Sequence, residues 1–293
     1  MTLAFDSRLA AAGGLIRTTR LRELGYSRGR IARLVAAGRA WRPRRGWVAG
    51  PTAPADAVRA VQLGGRLGGA SALASFRIWV DDDPGLVVAC APTASRLPAT
   101  RSGERRVWVA DRFPVDSACQ WRVSVLDALL QFALDAPYDS LVASLDSALN
   151  QHLITTRDFE RLIAALPLRL RSIRRDVDGS AMSGTETKMR LELVRAGYKV
   201  RSQVSIPGIG DVDLLVDDWL IVELDSRGHH QAPKQQTIDR KRDGNAVLVG
   251  YGHERFMWSQ VRYSMDWCLD VVATRLRDGR PSSNALNRSA AVG

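Results

Sequence analysis

The run SGTETKMRLELVRAGYKVRSQVSIPGIGDVDLLVDDWLIVELDSRGHH, residues 183–230, changes its hydrophobic period along its length, and that change decides the fold. Ser183-Gly184-Thr185-Glu186 opens a helix to Ala196, with Met189, Leu193 and Val194 as its apolar face and Gly197 as its stop. Beyond it Lys199 to Ile206 reads as a strand and Pro207 to Gly210 as a turn. Val212 to Val216 and Leu220 to Leu224 read as two further strands, joined around Asp217-Asp218. Both are apolar on either face, as strands central to a sheet are. From Ser180 onward the order is helix, strand, strand, helix, strand.

Into these strands are set Asp213, Glu223 and Asp225, three acids within 13 residues. An ionised carboxylate in an apolar strand costs several kcal/mol unless it is paired or bound to a metal. A cluster of hard oxygen ligands suits Mg²⁺ or Mn²⁺, which would offset the mutual repulsion and activate a water against a phosphodiester. The alternative is that arginines of this Arg-rich chain pair with the acids. Loop length sets a condition: a two-residue loop at Asp217-Asp218 faces residue 213 with 222 and sends Glu223 to the opposite face, whereas a three-residue loop at 217–219 sets Asp213 across from Glu223. Ser183 and Glu186 form an S-x-x-E pattern, so spacing makes Glu186 a capping residue that reaches back to a backbone N–H. His229 reads as loop, while His230, beside three carboxylates, could orient a water or act as general acid. Arg240, Lys241 and Arg242 are either a solvated helix face or phosphate contacts.

Together with DRKRD (239–243) and GYGHERFMWSQV (250–261), the run resembles the Vsr-like branch of the PD-(D/E)XK nuclease superfamily, which includes the very-short-patch mismatch repair endonucleases. The resemblance covers Ser183 to Arg262 and implies a restriction-endonuclease-like sheet with Mg²⁺-dependent cleavage of DNA. It aligns Glu186 with the first-helix acid, Asp213 with the metal-binding aspartate, and Glu223 with Asp225 on the E-x-K strand. His230 matches the histidine that follows this strand, and Asp239, Arg240, Arg242 and Asp243 match the polar helix. The resemblance thus adds catalysis to the capping role of Glu186. There are departures. Asp225 stands where many members have a lysine, so transition-state charge must be met by Lys188, Lys241 or His230. Ser226 replaces a usual glycine, and Gly252-His253-Glu254 is more polar than the family's last strand.

Working outward, residues 1–50 hold eleven arginines against Asp6 and Glu23, most of the chain's net +11. Phe5 to Ala12 reads as a helix, Thr19 to Leu24 as a second capped by Thr18 or Thr19, and a third is capped by Ser27 and ended by Gly38. In the third helix Arg28, Arg30 and Arg33 stay outside the stripe of Ile31, Leu34 and Val35, where a recognition helix presents side chains to a major groove. Arg42, Arg44 and Arg45 load the following Trp41-to-Val48 hairpin as a wing would be loaded to lie on phosphates. A solvated helical hairpin with a basic face is the plainer reading. TTRLRELGYSRGRIARLVAAGRAWRPRRGWVAG (18–50) is similar to the winged-helix domain of the antitoxins of abortive-infection (type IV) toxin–antitoxin systems, which implies operator DNA as a partner.

The expected class is therefore an α/β (α+β) multi-domain chain: a winged helix-turn-helix at 1–50, a mixed helical spacer or protein-contact domain at 51–170, a Vsr-like nuclease domain at 180–278 and a disordered tail at 279–293. In the middle segment Asp81, Asp82 and Asp83 read as a solvated loop. Cys90, Cys119 and Cys268 are too scattered for a disulfide framework or a CxxC zinc site and read as small buried hydrophobes. No apolar run reaches the ~18 to 20 residues of a membrane span, and the N-terminus lacks a signal-peptide layout, so the expected location is cytoplasmic, with no membrane partner. The expected function is a Mg²⁺-dependent endodeoxyribonuclease acting on duplex, mismatched or branched DNA. The alternative is an antitoxin-like transcriptional regulator whose nuclease fold is inactive.

Overall fold

The computed structural model describes residues 2–81, 85–225 and 248–279 of the chain. This is an α+β protein of two compact units, one made of Met1–Ala136 with Leu153–Arg171, the other of Pro137–His152 with Ser172–Gly293. The first unit opens with α1 (Thr2–Ala11), β1 (Leu15–Arg17), α2 (Thr18–Glu23), α3 (Arg28–Ala36) and β2 (Trp47–Ala49). β1 pairs antiparallel with β2, Ile16 opposite Val48, and Trp41 makes an isolated antiparallel bridge to Ala49. Phe5, Leu9, Ile16, Leu21, Tyr26, Ile31 and Val48 form the shared core. The expected threonine cap is not made. β1 runs directly into α2, so Arg17 holds the N-cap position without a side-chain bond, and Thr18 Oγ1 donates to Gly46 O at 3.3 Å. At the Gly13-Gly14 break, Gly14 has φ +82° and a Cβ there would stand 2.7 Å from the Ala53 backbone, so only glycine fits.

The rest of this unit contains α4 (Ala55–Gln62), β3 (Arg66–Leu67), α5 (Gly69–Ser75), β4 (Leu86–Cys90), β5 (Glu104–Trp108), α6 (Val125–Phe132) and α8 (Thr156–Ala165). The sheet order is β3-β4-β5, with β3 antiparallel and β5 parallel to β4. The small residues at 69–72 turn out to be the buried face of α5. Their size lets Ser71 Oγ donate to Gly85 O (3.1 Å) and accept from Val87 N–H (2.8 Å). Asp82 and Asp83 of the acidic triplet lie outside the described residues. Cys90 and Cys268 are buried as expected, but Cys119 is only half-buried.

Arg59 donates two bonds to Glu104, at 2.7 and 2.9 Å. These bonds, with a third from Arg101 N–H, hold the Glu104 carboxyl at about 2, against an ordinary 4.5. A depressed folded-state value means stability that is present above pH 4.5 and lost as pH falls toward about 2. Thermal melts of Glu104→Gln should therefore show a deficit against wild type at pH 6 that closes across that window. A gap unchanged through the window would show that the ion pair does not carry it.

The second unit comprises α7 (Tyr138–Asn150), α9 (Gly184–Arg195), β6 (Val200–Ile206), β7 (Gly210–Val216), β8 (Leu220–Asp225), β9 (Gly252–Met257), α10 (Trp258–Tyr263) and α11 (Met265–Gly279). The sheet order is β6-β7-β8-β9, two antiparallel pairings followed by a parallel one. Leu214, Val216, Leu220 and Val222 pack with Met189 and Leu193 of α9 and with Val261, Cys268 and Val272. Leu215 and Ile221 pack on the other face with Ile206, Ile209 and Val212, so both central strands are buried twice over. Helix α7, expected within the middle segment, belongs to this unit. Its Asp146, 1% exposed, accepts from Asp178 N–H (2.8 Å), Gly179 N–H (3.0 Å), Thr187 Oγ1 (2.8 Å) and Arg190 Nη2 (2.9 Å). Trp219 Nε1 donates to Gly250 O at 2.9 Å, and its ring lies so close to Gly252 that a Cβ there would meet it at 2.8 Å. Among the described residues no helix is long and apolar enough to cross a membrane.

Candidate functional site

The β7–β8 connection has three residues, Asp217 to Trp219. Asp217 and Asp218 sit at φ 50° and 56°, and Trp219 N–H closes the turn on Val216 O at 3.1 Å, a type I′ arrangement that aspartate tolerates. Trp219 is the additional residue that makes the loop odd. The ladder then runs Val216↔Leu220, Leu215↔Ile221 and Leu214↔Val222, and ends one position short of Asp213 and Glu223. The loop is thus of the odd length that the acid pair requires. At this point the backbone ladder stops and the Asp213 side chain replaces it, Oδ2 accepting from Leu224 N–H at 2.8 Å.

On the other side of β7 the ladder with β6 also breaks at Asp213. Ser202↔Leu214 and Val204↔Val212 pair, but Gln203 opposite Asp213 does not, and Gln203 has φ 49°. The sheet face reverses here: Val212 packs in one core cluster and Leu214, two residues on, in the other. The break frees the Gln203 amide, whose Nε2 donates to Glu186 Oε2 at 2.9 Å and stands 3.4 Å from Asp213 Oδ1. Sequence reading missed Gln203, because a glutamine in a strand carries no signal of an αL backbone.

Glu186 is 4% exposed. Ser183 Oγ accepts from Glu186 N–H at 3.2 Å, so half of the expected capping box forms. The returning half is different, since Glu186 Oε2 reaches past Ser183 to Met182 N–H at 2.8 Å. Burial first, and then the charge of Asp213, push the Glu186 carboxyl above its ordinary value.

Cations meet other acids of the sheet. Arg255 stands 3.6 Å from Asp225, Lys199 and Arg201 flank Asp218 at 2.7 and 2.9 Å, and Arg275 pairs with Glu254 at 2.5 Å. Asp213 and Glu186 make no ion pair among the described residues; their partners are neutral N–H groups. Arginine pairing therefore accounts for Asp225 but not for Asp213. No three His, Cys, Asp or Glu side chains among the described residues gather as a metal cluster. Mg²⁺ commonly takes one or two carboxylates and fills its octahedron with water and substrate phosphate. Asp213, whose partners are neutral N–H groups, fits that smaller requirement. His230, Arg240, Lys241 and Arg242 lie outside the described residues, as does the tail from Arg280.

The residues of the expected basic face lie in the first unit. Ser27 Oγ accepts from Arg30 N–H at 3.2 Å and starts α3, whose Ile31 is buried while Arg28 and Arg33 are exposed. Arg42 and Arg45 are exposed on the segment before β2. Two of the expected contacts are turned to structural use. Arg30 lies over the Tyr26 ring at 4.3 Å, and Arg44 Nη1 donates to Gln62 O at 2.9 Å. If Arg28 and Arg33 meet phosphates, the double alanine variant should weaken DNA binding and flatten the plot of log affinity against log salt by about 2. Filter binding over a salt series would measure it, and an unchanged slope would remove α3 from the interface.

No family model matches the chain, and no curated protein matches it significantly. Among solved structures it is similar to the crystal structure of the RV2827C protein from Mycobacterium tuberculosis, at 21% identity over 59% of this chain and 75% of that one, with a TM-score of 0.27.

Proposed function

We propose that the protein is a DNA-binding, metal-dependent endonuclease, with a winged helix for duplex binding in the first unit and a phosphodiester-cleaving site on the β7–β8 acids of the second. The observation that carries the reading is Asp213, beside the buried Glu186 on the strand that a three-residue loop joins to the strand of Glu223, with no cation to neutralise it among the described residues. Asp213 and Glu223 would hold Mg²⁺ or Mn²⁺. A bound divalent cation there supplies positive charge at the scissile phosphate and makes a neighbouring water more acidic. The chain's own residues position the donors. Leu224 N–H holds Asp213 Oδ2, and Gln203, itself held by Glu186, orients Oδ1. Arg255, 3.6 Å from Asp225, would leave that acid as a charge partner rather than a ligand.

The same Arg255–Asp225 pair favours a second reading, a DNA-binding regulator of the type IV antitoxin kind on a nuclease fold that no longer cuts. Purified full-length protein incubated with plasmid, mismatched and branched DNA in Mg²⁺, Mn²⁺ or EDTA separates the two. Cutting that needs metal supports the nuclease. DNA retention in EDTA with no cutting under any condition overturns it in favour of the regulator.

A further inference from the structure

The connection that leads into α9, residues 178–183, is anchored residue by residue. Asp178 N–H and Gly179 N–H both donate to Asp146 Oδ1, at 2.8 and 3.0 Å. Ser180 Oγ donates to Asp178 Oδ1 at 2.7 Å, and Ser180 O accepts from Asn150 Nδ2 at 3.2 Å. Ala181 is buried, Met182 N–H donates to Glu186 Oε2 at 2.8 Å, and Ser183 Oγ accepts from Glu186 N–H at 3.2 Å. This framework holds the Met182 backbone and leaves its side chain in solvent, 72% exposed.

Single exposed apolar side chains are ordinary on a protein surface. Met182 differs in what its backbone is tied to. Glu186 Oε2, which takes the Met182 N–H, also takes Gln203 Nε2 at 2.9 Å, and that nitrogen stands 3.4 Å from Asp213 Oδ1. The backbone of Met182 is thus three short contacts away from the acid on which the nuclease reading rests. Ser183, Gln203 and Asp213 are each half-buried, so this rim of the site is open. A strand whose phosphate sits at Asp213 brings the neighbouring sugar and base within reach of a side chain with three rotatable bonds.

We propose that Met182 is a substrate-contacting residue of this site, an inference that rests on the endonuclease reading: its side chain packs on the sugar and base next to the scissile phosphate of a nucleic-acid strand. A thioether is polarisable, adaptable and only a weak acceptor, so it gains contact with any base and reads none. Met182 therefore seats the strand without selecting its sequence, which takes donors and acceptors at base edges.

The test uses the full chain and two readouts. In the first, peroxide oxidation of Met182 is followed by peptide mass spectrometry with and without plasmid DNA, Ca²⁺ replacing Mg²⁺. Bound DNA should slow sulfoxide formation at Met182 by at least about threefold, because oxidation follows exposure. In the second, Mg²⁺-dependent nicking is compared across variants and the cut ends are mapped. Met182→Gln keeps the length and loses the apolar surface, and should lower kcat/KM about tenfold, evenly over the cut sites. Met182→Leu should stay within about threefold of wild type. Melting temperatures should not change, since the side chain is exposed. Unprotected oxidation, a Met182→Leu as slow as Met182→Gln, slowing confined to particular sites, or slowing with a lower melting temperature overturns the inference. Wild-type cutting that Met182→Gln matches also overturns it and leaves the nuclease reading standing. Protection of Met182 without cutting by any protein supports the contact and removes the nuclease reading instead.

Discussion

Asp146→Ala is expected to destabilise the C-terminal unit by about 3–5 kcal/mol, the usual loss when one partner of a buried ion pair is removed. Asp146 takes four donors from three places in the sequence, and Arg190, 8% exposed, keeps its charge when the acid goes. Arg190 Nη2 would retain only Asp176 O at 2.7 Å, and the N–H groups of Asp178 and Gly179 would lose their acceptor. Burial pushes the Asp146 carboxyl up from its ordinary value while Arg190 and the three other donors pull it down, so the site is balanced rather than strongly favourable. Its importance lies in what its removal strands. Asp139→Ala is the matched control, because its pair with Arg195 is far more exposed than Asp146–Arg190 and should cost about 1 kcal/mol. Hydrogen exchange in peptides from α7 and α9 reads this unit separately from the other. Equal loss of protection in the two variants would refute the buried-pair account.

Asp213→Asn is expected to reduce metal-dependent cleavage at least about a thousandfold while leaving DNA retention in EDTA unchanged. Asparagine keeps an oxygen for Leu224 N–H, so the splice between β7 and β8 survives and only the charge is removed. Alanine would add the cost of an unpaired N–H, about 1–3 kcal/mol, and confuse chemistry with folding. Loss of the Asp213 charge also removes one of the two influences that raise the Glu186 carboxyl. Plasmid nicking followed at several Mg²⁺ and Mn²⁺ concentrations gives the comparison. An asparagine variant that cuts within about tenfold of wild type would take Asp213 out of the metal site and leave the regulator reading in place.

How much of this was legible in the sequence depended on how local each determinant is. Strands β6, β7 and β8, α9 and the three N-terminal helices follow from short-range periodicity and turn residues, and their predicted extents match to within a few residues. β1 was missed because it is three residues long and exists only by pairing with β2, some thirty residues away. The hairpin parity was left open, since Asp217-Asp218 reads equally as a whole two-residue loop. Trp219 is drawn out of the ladder by Gly250 O, a partner 31 residues distant. Asp146 looked like any polar residue on a helix because its donors lie 32 to 44 residues further on. Glu186 and Asp213 were found as acids, but Gln203, which ties them together, is recognisable only from a backbone break on two adjacent strands.

The membership of α7 in the C-terminal unit has a consequence for biosynthesis. A ribosome releases α7 before Leu153–Arg171, which finish the first unit, and well before α9. At about 5–20 residues per second, the 44 residues between Asp146 and Arg190 correspond to a wait of roughly 2 to 9 seconds. During that interval a helix with a nearly all-buried face is extruded without the layer it belongs to. Neither unit is contiguous, so no single proteolytic nick releases one of them whole, and the nascent chain, though it has all of the first unit once Arg171 is made, completes the second only after its last third has emerged.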